Sequence, residues 1–164
     1  RRHTRSLCDW SSDVCSSDLG VFDYVDWLPR PDIVDACLAA SQKYDLPILT
    51  GTYGYILGKD DEALKEDMRN AARIGVKTHN IMLGAKTADG RKITDAEVVD
   101  CYLRMYELGE KLGVQASFEV HVYMWSEEYL RVSRVAQAVR SRGIPFWFTM
   151  DYSHCIFKIG RAHV

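Results

Sequence analysis

No run of about 18 apolar residues occurs in this sequence, which excludes a membrane-spanning helix. It has no Cys-x-x-Cys pair, so neither a zinc ribbon nor a dithiol redox motif is indicated. No Gly-x-Gly-x-x-Gly follows the first apolar run, which argues against dinucleotide binding. Gly51, Gly54 and Gly58 are not at phosphate-loop spacing and lack the Lys-Ser/Thr that would follow. A Gly-x-Ser-x-Gly nucleophile elbow is also missing. There is no excess of positive charge: the formal net charge is −2 over 164 residues. What remains, with 47% hydrophobic and 27% charged residues, is the composition of one globular domain.

The two ends differ from the rest. Residues 1–19 show no periodicity and no apolar face. Their last seven, Asp13 to Leu19, back-translate as GAC GTG TGC TCT TCC GAT CT. The last seven residues of the chain, Lys158 to Val164, back-translate as AG ATC GGA AGA GCA CAC GTC, the reverse complement. An adapter ligated to both ends of a DNA insert produces that relation. Residues 1–19 and 158–164 are therefore expected to be non-native tails, with genuine protein from Gly20 to Phe157. Setting aside Arg1, Arg2, Arg5, Lys158 and Arg161, and Asp9, Asp13 and Asp18, leaves 16 basic and 20 acidic residues. That mildly acidic balance argues against a nucleic-acid partner. Three scattered cysteines stay in the count, Cys37, Cys101 and Cys155, which fits a reducing compartment and a cytoplasmic location.

Between the tails the pattern alternates. Val21 to Leu28 predicts a strand rich in β-branched and aromatic residues. Asp32 to Tyr44, with Ile33, Cys37, Ala40 and Tyr44 at helical spacing, predicts an amphipathic helix after Pro31. A strand is expected from Pro47 to Tyr55, a helix from an Asp60 cap to Ile74, and a strand from Val76 to Leu83. Thr94-Asp95-Ala96-Glu97 is a capping box opening a helix that Gly113 closes. Gln115 to Val122 is the next strand. Ser126 is expected to cap the next helix, which Gly143 stops, and Ile144 to Asp151 is the last strand. Repeating β-α units of roughly 30 residues imply parallel strands with right-handed crossovers. Two α/β architectures remain open. One is an incomplete (β/α)8 barrel, since a whole one needs about 250 residues. The other is a five-stranded doubly wound sheet.

Polar chemistry gathers where strands end. Ser117, Glu119 and His121 share one face of their strand, as do Trp147, Thr149 and Asp151 of theirs. A carboxylate inside an apolar strand is costly unless paired or metal-bound. All three histidines of the genuine segment, His79, His121 and His154, are expected at or just after strand ends, where barrel active sites lie. Carboxylate and imidazole donors without a thiolate suit Mn²⁺, Mg²⁺, Co²⁺ or Zn²⁺. His79, His121 and Asp26 are expected as substrate contacts. Trp125, with Tyr53, Tyr55 and Trp27, either lines a sugar pocket or belongs to the aromatic core.

Glu119, followed one helix later by Asp151-Tyr152-Ser153-His154, resembles the xylose-isomerase-like superfamily of sugar and sugar-phosphate isomerases and epimerases. Gly20-Val21-Phe22-Asp23-Tyr24-Val25-Asp26-Trp27 is similar to that family's Gly-Phe-Asp-x-Val-Glu-Leu strand, with Asp in place of the usual Glu. The resemblance implies an incomplete (β/α)8 barrel comprising about strands two to six. It implies a divalent metal held by Glu119 and Asp151, with a His and a Glu on strands beyond Phe157 completing the shell. Catalysis would fall to Glu119 as acid–base group and His154 as a hydroxyl or oxyanion binder. His121 has no counterpart in that pattern. The implied partner is a small sugar, with no nucleic acid and no membrane, and a homo-oligomeric parent is compatible with it. With half the metal shell, the 164-residue chain is expected to be inactive. A three-zinc phosphodiesterase of the same superfamily and a non-catalytic sugar-binding barrel are the competing implications.

Overall fold

The computed structural model describes residues 23–27, 30–154 and 156. The two expected tails lie outside the described residues, as do Val21, Phe22, Leu28, Pro29, Cys155 and Phe157. Strands and helices alternate as β1 (Val25–Asp26), α1 (Val34–Lys43), β2 (Ile48–Tyr55), α2 (Asp61–Arg73), β3 (Thr78–Leu83), α3 (Asp95–Leu112), β4 (Gln115–Val120), α4 (Tyr129–Arg140) and β5 (Phe148–Met150). A single 3₁₀ turn, Trp125–Glu127, lies between β4 and α4.

All four strand pairings are parallel, and the order across the sheet is β1-β2-β3-β4-β5. A doubly wound sheet reverses its order partway across. No reversal occurs here, so the open choice resolves to five consecutive strands of a partial (β/α)8 barrel. Strand alternation then separates two faces. Ile81, Leu83, Ala116, Phe118 and Val120 meet Leu64 and Met68 of α2, Val98, Tyr102 and Met105 of α3, and Val132, Val135 and Val139 of α4 in the main core. A smaller cluster, Cys37, Ile48, Ala71, Val76 and Val114, closes the amino ends of the strands. Each fully buried aliphatic or Phe side chain here stabilises by about 1.5–3 kcal/mol.

Local signals set α3. The Thr94 hydroxyl accepts from the Glu97 amide, and the Glu97 carboxylate accepts from the Thr94 amide, giving the expected capping box. Gly113 ends the helix at φ 70°, a left-handed conformation that suits glycine. Asp60 occupies the N-cap position of α2, but its side chain accepts from the Ile56 amide instead of capping. Ser126 does not cap α4, whose N-cap is Glu128. The last strand is shorter than expected, because Ile144 to Trp147 runs into it under a different constraint. The buried Tyr102 hydroxyl donates to Pro145 O (2.9 Å) and accepts from Trp147 N–H (2.8 Å), tying the entry of β5 to α3.

Candidate functional site

The face of the sheet turned away from the helices is polar. Its first layer is a chain of side-chain hydrogen bonds crossing four strands. Thr149 donates to Asn80 Oδ1 (2.7 Å), and Asn80 Nδ2 donates to Thr52 Oγ1 (3.3 Å). Because the Thr149 proton is committed to Asn80, the Ser117 hydroxyl donates to Thr149 Oγ1 (3.3 Å). The strand register places Thr52 opposite Asn80 and Asn80 opposite Ser117. The polar layer thus forms a braced floor beneath the strand ends. Asn80 was not foreseen in this role; only its parity with Ser117 across the β3–β4 pairing would have revealed it.

Above the floor stand the residues two further along each strand. Glu119 is 8% exposed near the end of β4. His121 follows, and one ligand atom from it, one from Glu119 and one from His154 lie within 4.8 Å of one another. The His121 and His154 rings approach to 3.8 Å between centroids. Two main-chain contacts fix the turn after β4: Ser126 Oγ donates to Glu119 O (2.7 Å) and accepts from His121 N–H (3.1 Å). Ser126, 1% exposed, is therefore a clamp on the site. The turn continues through Tyr123 at φ 65°, a strained conformation for a non-glycine residue.

Burial raises the carboxyl pKa of Glu119. His121 nearby opposes that shift, whereas the Asp151 and Asp26 charges reinforce it. Asp151 moves the other way: hydrogen bonding from Ser153, including a 2.7 Å bond from its amide to Oδ1, holds its carboxyl below the usual range. Asp151 Oδ2 lies 3.5 Å from His154 Nε2. Five of the expected site residues, Asp26, Glu119, His121, Asp151 and His154, thus bear on one spot at the carboxyl ends of β1, β4 and β5.

Two expected substrate contacts lie elsewhere. His79 is the second residue of β3, not at its end, and is completely buried on the helix-facing side. Its Nδ1–H donates to Gly51 O (3.1 Å), and its Nε2 lies 2.9 Å from the Tyr55 hydroxyl, which donates to Asp67 Oδ2 on α2 (2.8 Å). Burial drives the His79 pKa down to about 4. Pairing to Gly51 and Ala116 across the sheet fixes this parity, on the face opposite Asn80. Trp125, 1% exposed, packs edge-on against Phe118 at 5.5 Å, and with Tyr55 it settles into the aromatic core.

No protein-family model matches the chain, and no curated protein matches it. Solved structures do. A D-allulose 3-epimerase from Methylomonas sp., in complex with D-allulose, superposes with a TM-score of 0.67 at 16% identity, over 85% of this chain and 55% of that one. A 3-keto-D-glucoside 4-epimerase from E. coli gives 0.62 at 13% identity, over 81% and 59%. A xylose isomerase domain containing protein from Salmonella typhimurium gives 0.53 at 15% identity, over 74% and 44%. The shared property is the fold, parallel strands alternating with helices as part of a (β/α)8 barrel, and the chain spans about half the length of the structures it matches.

Proposed function

We propose that the parent protein is a divalent-metal-dependent sugar or sugar-phosphate isomerase or epimerase that works by proton transfer through an enediolate. The observation carrying this reading is a buried carboxylate, Glu119, meeting two imidazoles at the carboxyl end of a parallel barrel sheet. The likeness in fold to proteins described as a ketose epimerase and a keto-glucoside epimerase supports the substrate class.

The donor set fits Mn²⁺, Co²⁺, Zn²⁺ or Mg²⁺, being oxygen and imidazole without thiolate. We assign Glu119 and Asp151 to hold the cation. Bound there, a divalent ion supplies Lewis acidity to adjacent substrate oxygens. Glu119 also removes the proton from the carbon beside the carbonyl, and a group on the opposite face of the substrate returns it. His154, oriented by Asp151, binds the oxygen on which negative charge grows. Asp26 accepts from a substrate hydroxyl at the rim of β1.

The test uses the parent reading frame continued past Phe157, where this assignment requires a His ending the next strand and a Glu ending the one after. That protein is incubated in D₂O with ketoses, aldoses and their phosphates, in the presence of Mn²⁺, Mg²⁺ or Co²⁺. Deuterium is expected at the carbon beside the carbonyl, and Glu119→Gln should abolish its incorporation. Exchange with no sugar under any cation would overturn the reading. The 164-residue chain itself is expected to turn over nothing.

A further inference from the structure

We propose that His121 is itself a cation ligand. Glu119, His121 and His154 then form a two-imidazole, one-carboxylate site within this chain, selecting a borderline cation such as Co²⁺ or Zn²⁺ over Mg²⁺. The proposal rests on the functional reading above for the presence of a cation at the strand ends, and it revises the ligand set: His121 and His154 join Glu119, and Asp151 orients His154 instead of binding the ion.

The tautomer of His121 comes first. Its Nδ1 lies 2.6 Å from the Val122 carbonyl oxygen, an atom that can only accept, so Nδ1 carries a proton and Nε2 is the nitrogen left to bind a cation. Metal-binding histidines are characteristically held this way, with the other ring nitrogen donating to a carbonyl or carboxylate. The backbone under the ring is fixed by the Ser126 clamp, so the imidazole sits on a braced turn.

The partners come next. All three residues present a ligand atom within 4.8 Å of the other two, close enough for one ion to reach all three. Glu119 is nearly excluded from water, and among the described residues the ionisable groups bearing on it are His121, Asp151 and Asp26, none of them a lysine or arginine. A buried carboxylate without a fixed cationic partner is costly, and a bound cation removes that cost.

Asp151 falls outside the trio. Its Oδ1 accepts from the Ser153 amide, and its Oδ2 lies beside His154 Nε2. With the cation on His154 Nδ1, a carboxylate at Nε2 orients the ligating ring through its other nitrogen. Two imidazoles out of three donors favour Co²⁺ and Zn²⁺, whereas Mg²⁺ prefers oxygen and keeps its water.

The test is titration of the 164-residue chain with Co²⁺, followed by visible absorption and calorimetry, with Mg²⁺ as competitor. The tails carry further imidazole and thiol donors of the kind Co²⁺ takes, His3, Cys8, Cys15 and His163. The triple variant Glu119→Gln/His121→Ala/His154→Ala therefore supplies the background to subtract. His121→Ala and, as a shape-preserving second variant, His121→Gln should each weaken site-specific Co²⁺ binding about tenfold or more, with Asp151→Asn having the smaller effect. Far-UV circular dichroism checks that each variant folds. Unchanged Co²⁺ affinity in both His121 variants would overturn the proposal, as would Mg²⁺ displacing Co²⁺ at equal concentration. If Asp151→Asn abolishes binding while His121→Gln preserves it, the Glu119–Asp151 pairing stands and this inference fails. A parent protein that binds Co²⁺ through His121 but exchanges no sugar proton breaks the functional reading and leaves this one standing.

Discussion

His79 illustrates what a single buried residue demands. Its Nδ1 proton is spent on Gly51 O, and the Tyr55 hydroxyl has one proton to share between Asp67 Oδ2 and His79 Nε2. Burial pushes the His79 pKa down to about 4 and raises that of the Asp67 carboxyl. The other ionisable groups bearing on this trio, Tyr53, Asp60 and Glu66, are all acids. Below its ordinary value near 6.5, unfolded His79 gains a proton that the folded ring does not take until pH falls to about 4. Its contribution to stability is thus present above 6.5 and lost as pH falls from 6.5 to 4, a loss of up to roughly 3 kcal/mol. Asp67 works in the opposite sense, its contribution being lost as pH rises through its elevated folded value. Urea unfolding between pH 4 and 7 should show the acid loss in the parent chain and a flatter profile in His79→Gln. Equal slopes would refute the assignment. None of this was legible from sequence. His79 reads there as one of three strand-end histidines, and only the β2–β3 pairing shows that it points to the helices.

Elements meet at points of close approach. A methyl group on Gly109 of α3 would lie 2.3 Å from Val114 O, which is backbone and cannot swing aside. Gly109→Ala is expected to destabilise the chain by about 1–3 kcal/mol, measured by thermal or urea unfolding. Tyr102→Phe removes the two hydrogen bonds holding the approach to β5, for a loss of about 1–3 kcal/mol. That loss should be accompanied by faster amide exchange in Phe148–Met150, and unaltered exchange there would show that β5 is held by other means. Capping and termination of α3 were readable because a capping box and a C-terminal glycine act within a few residues. Ser126 was misread as a helix cap for a related reason. Its sequence context is that of a cap, but its partners, Glu119 O and His121 N, belong to the preceding strand end. The shortened β5 has the same origin, since a tyrosine 43 residues earlier holds its entry.

At the scale of the molecule, periodicity gave the alternation of strand and helix but left barrel and doubly wound sheet undecided, because order in space is not written in local spacing. Sequential strand order decided it. The proximity of Glu119, Asp151 and His154 at the strand ends was legible because strand parity and strand ends are local properties. The inclusion of His121 depended on the turn that brings its ring against His154. Within the described residues no helix is long and apolar enough to cross a membrane. If residues 1–19 and 158–164 are non-native, a chain of residues 20–157 should melt within about 2 °C of the 164-residue chain. A larger drop would show that the tails take part in the fold.

The unbroken strand order also bears on how the chain reaches its structure. Among the described residues each strand pairs only with those before and after it in sequence, and each crossover closes over one helix. Loop closure therefore stays short at every step, and the entropy lost in bringing partners together never grows with the number of units already assembled. Such a chain can be laid down from its amino end during synthesis, one strand–helix unit docking on the last.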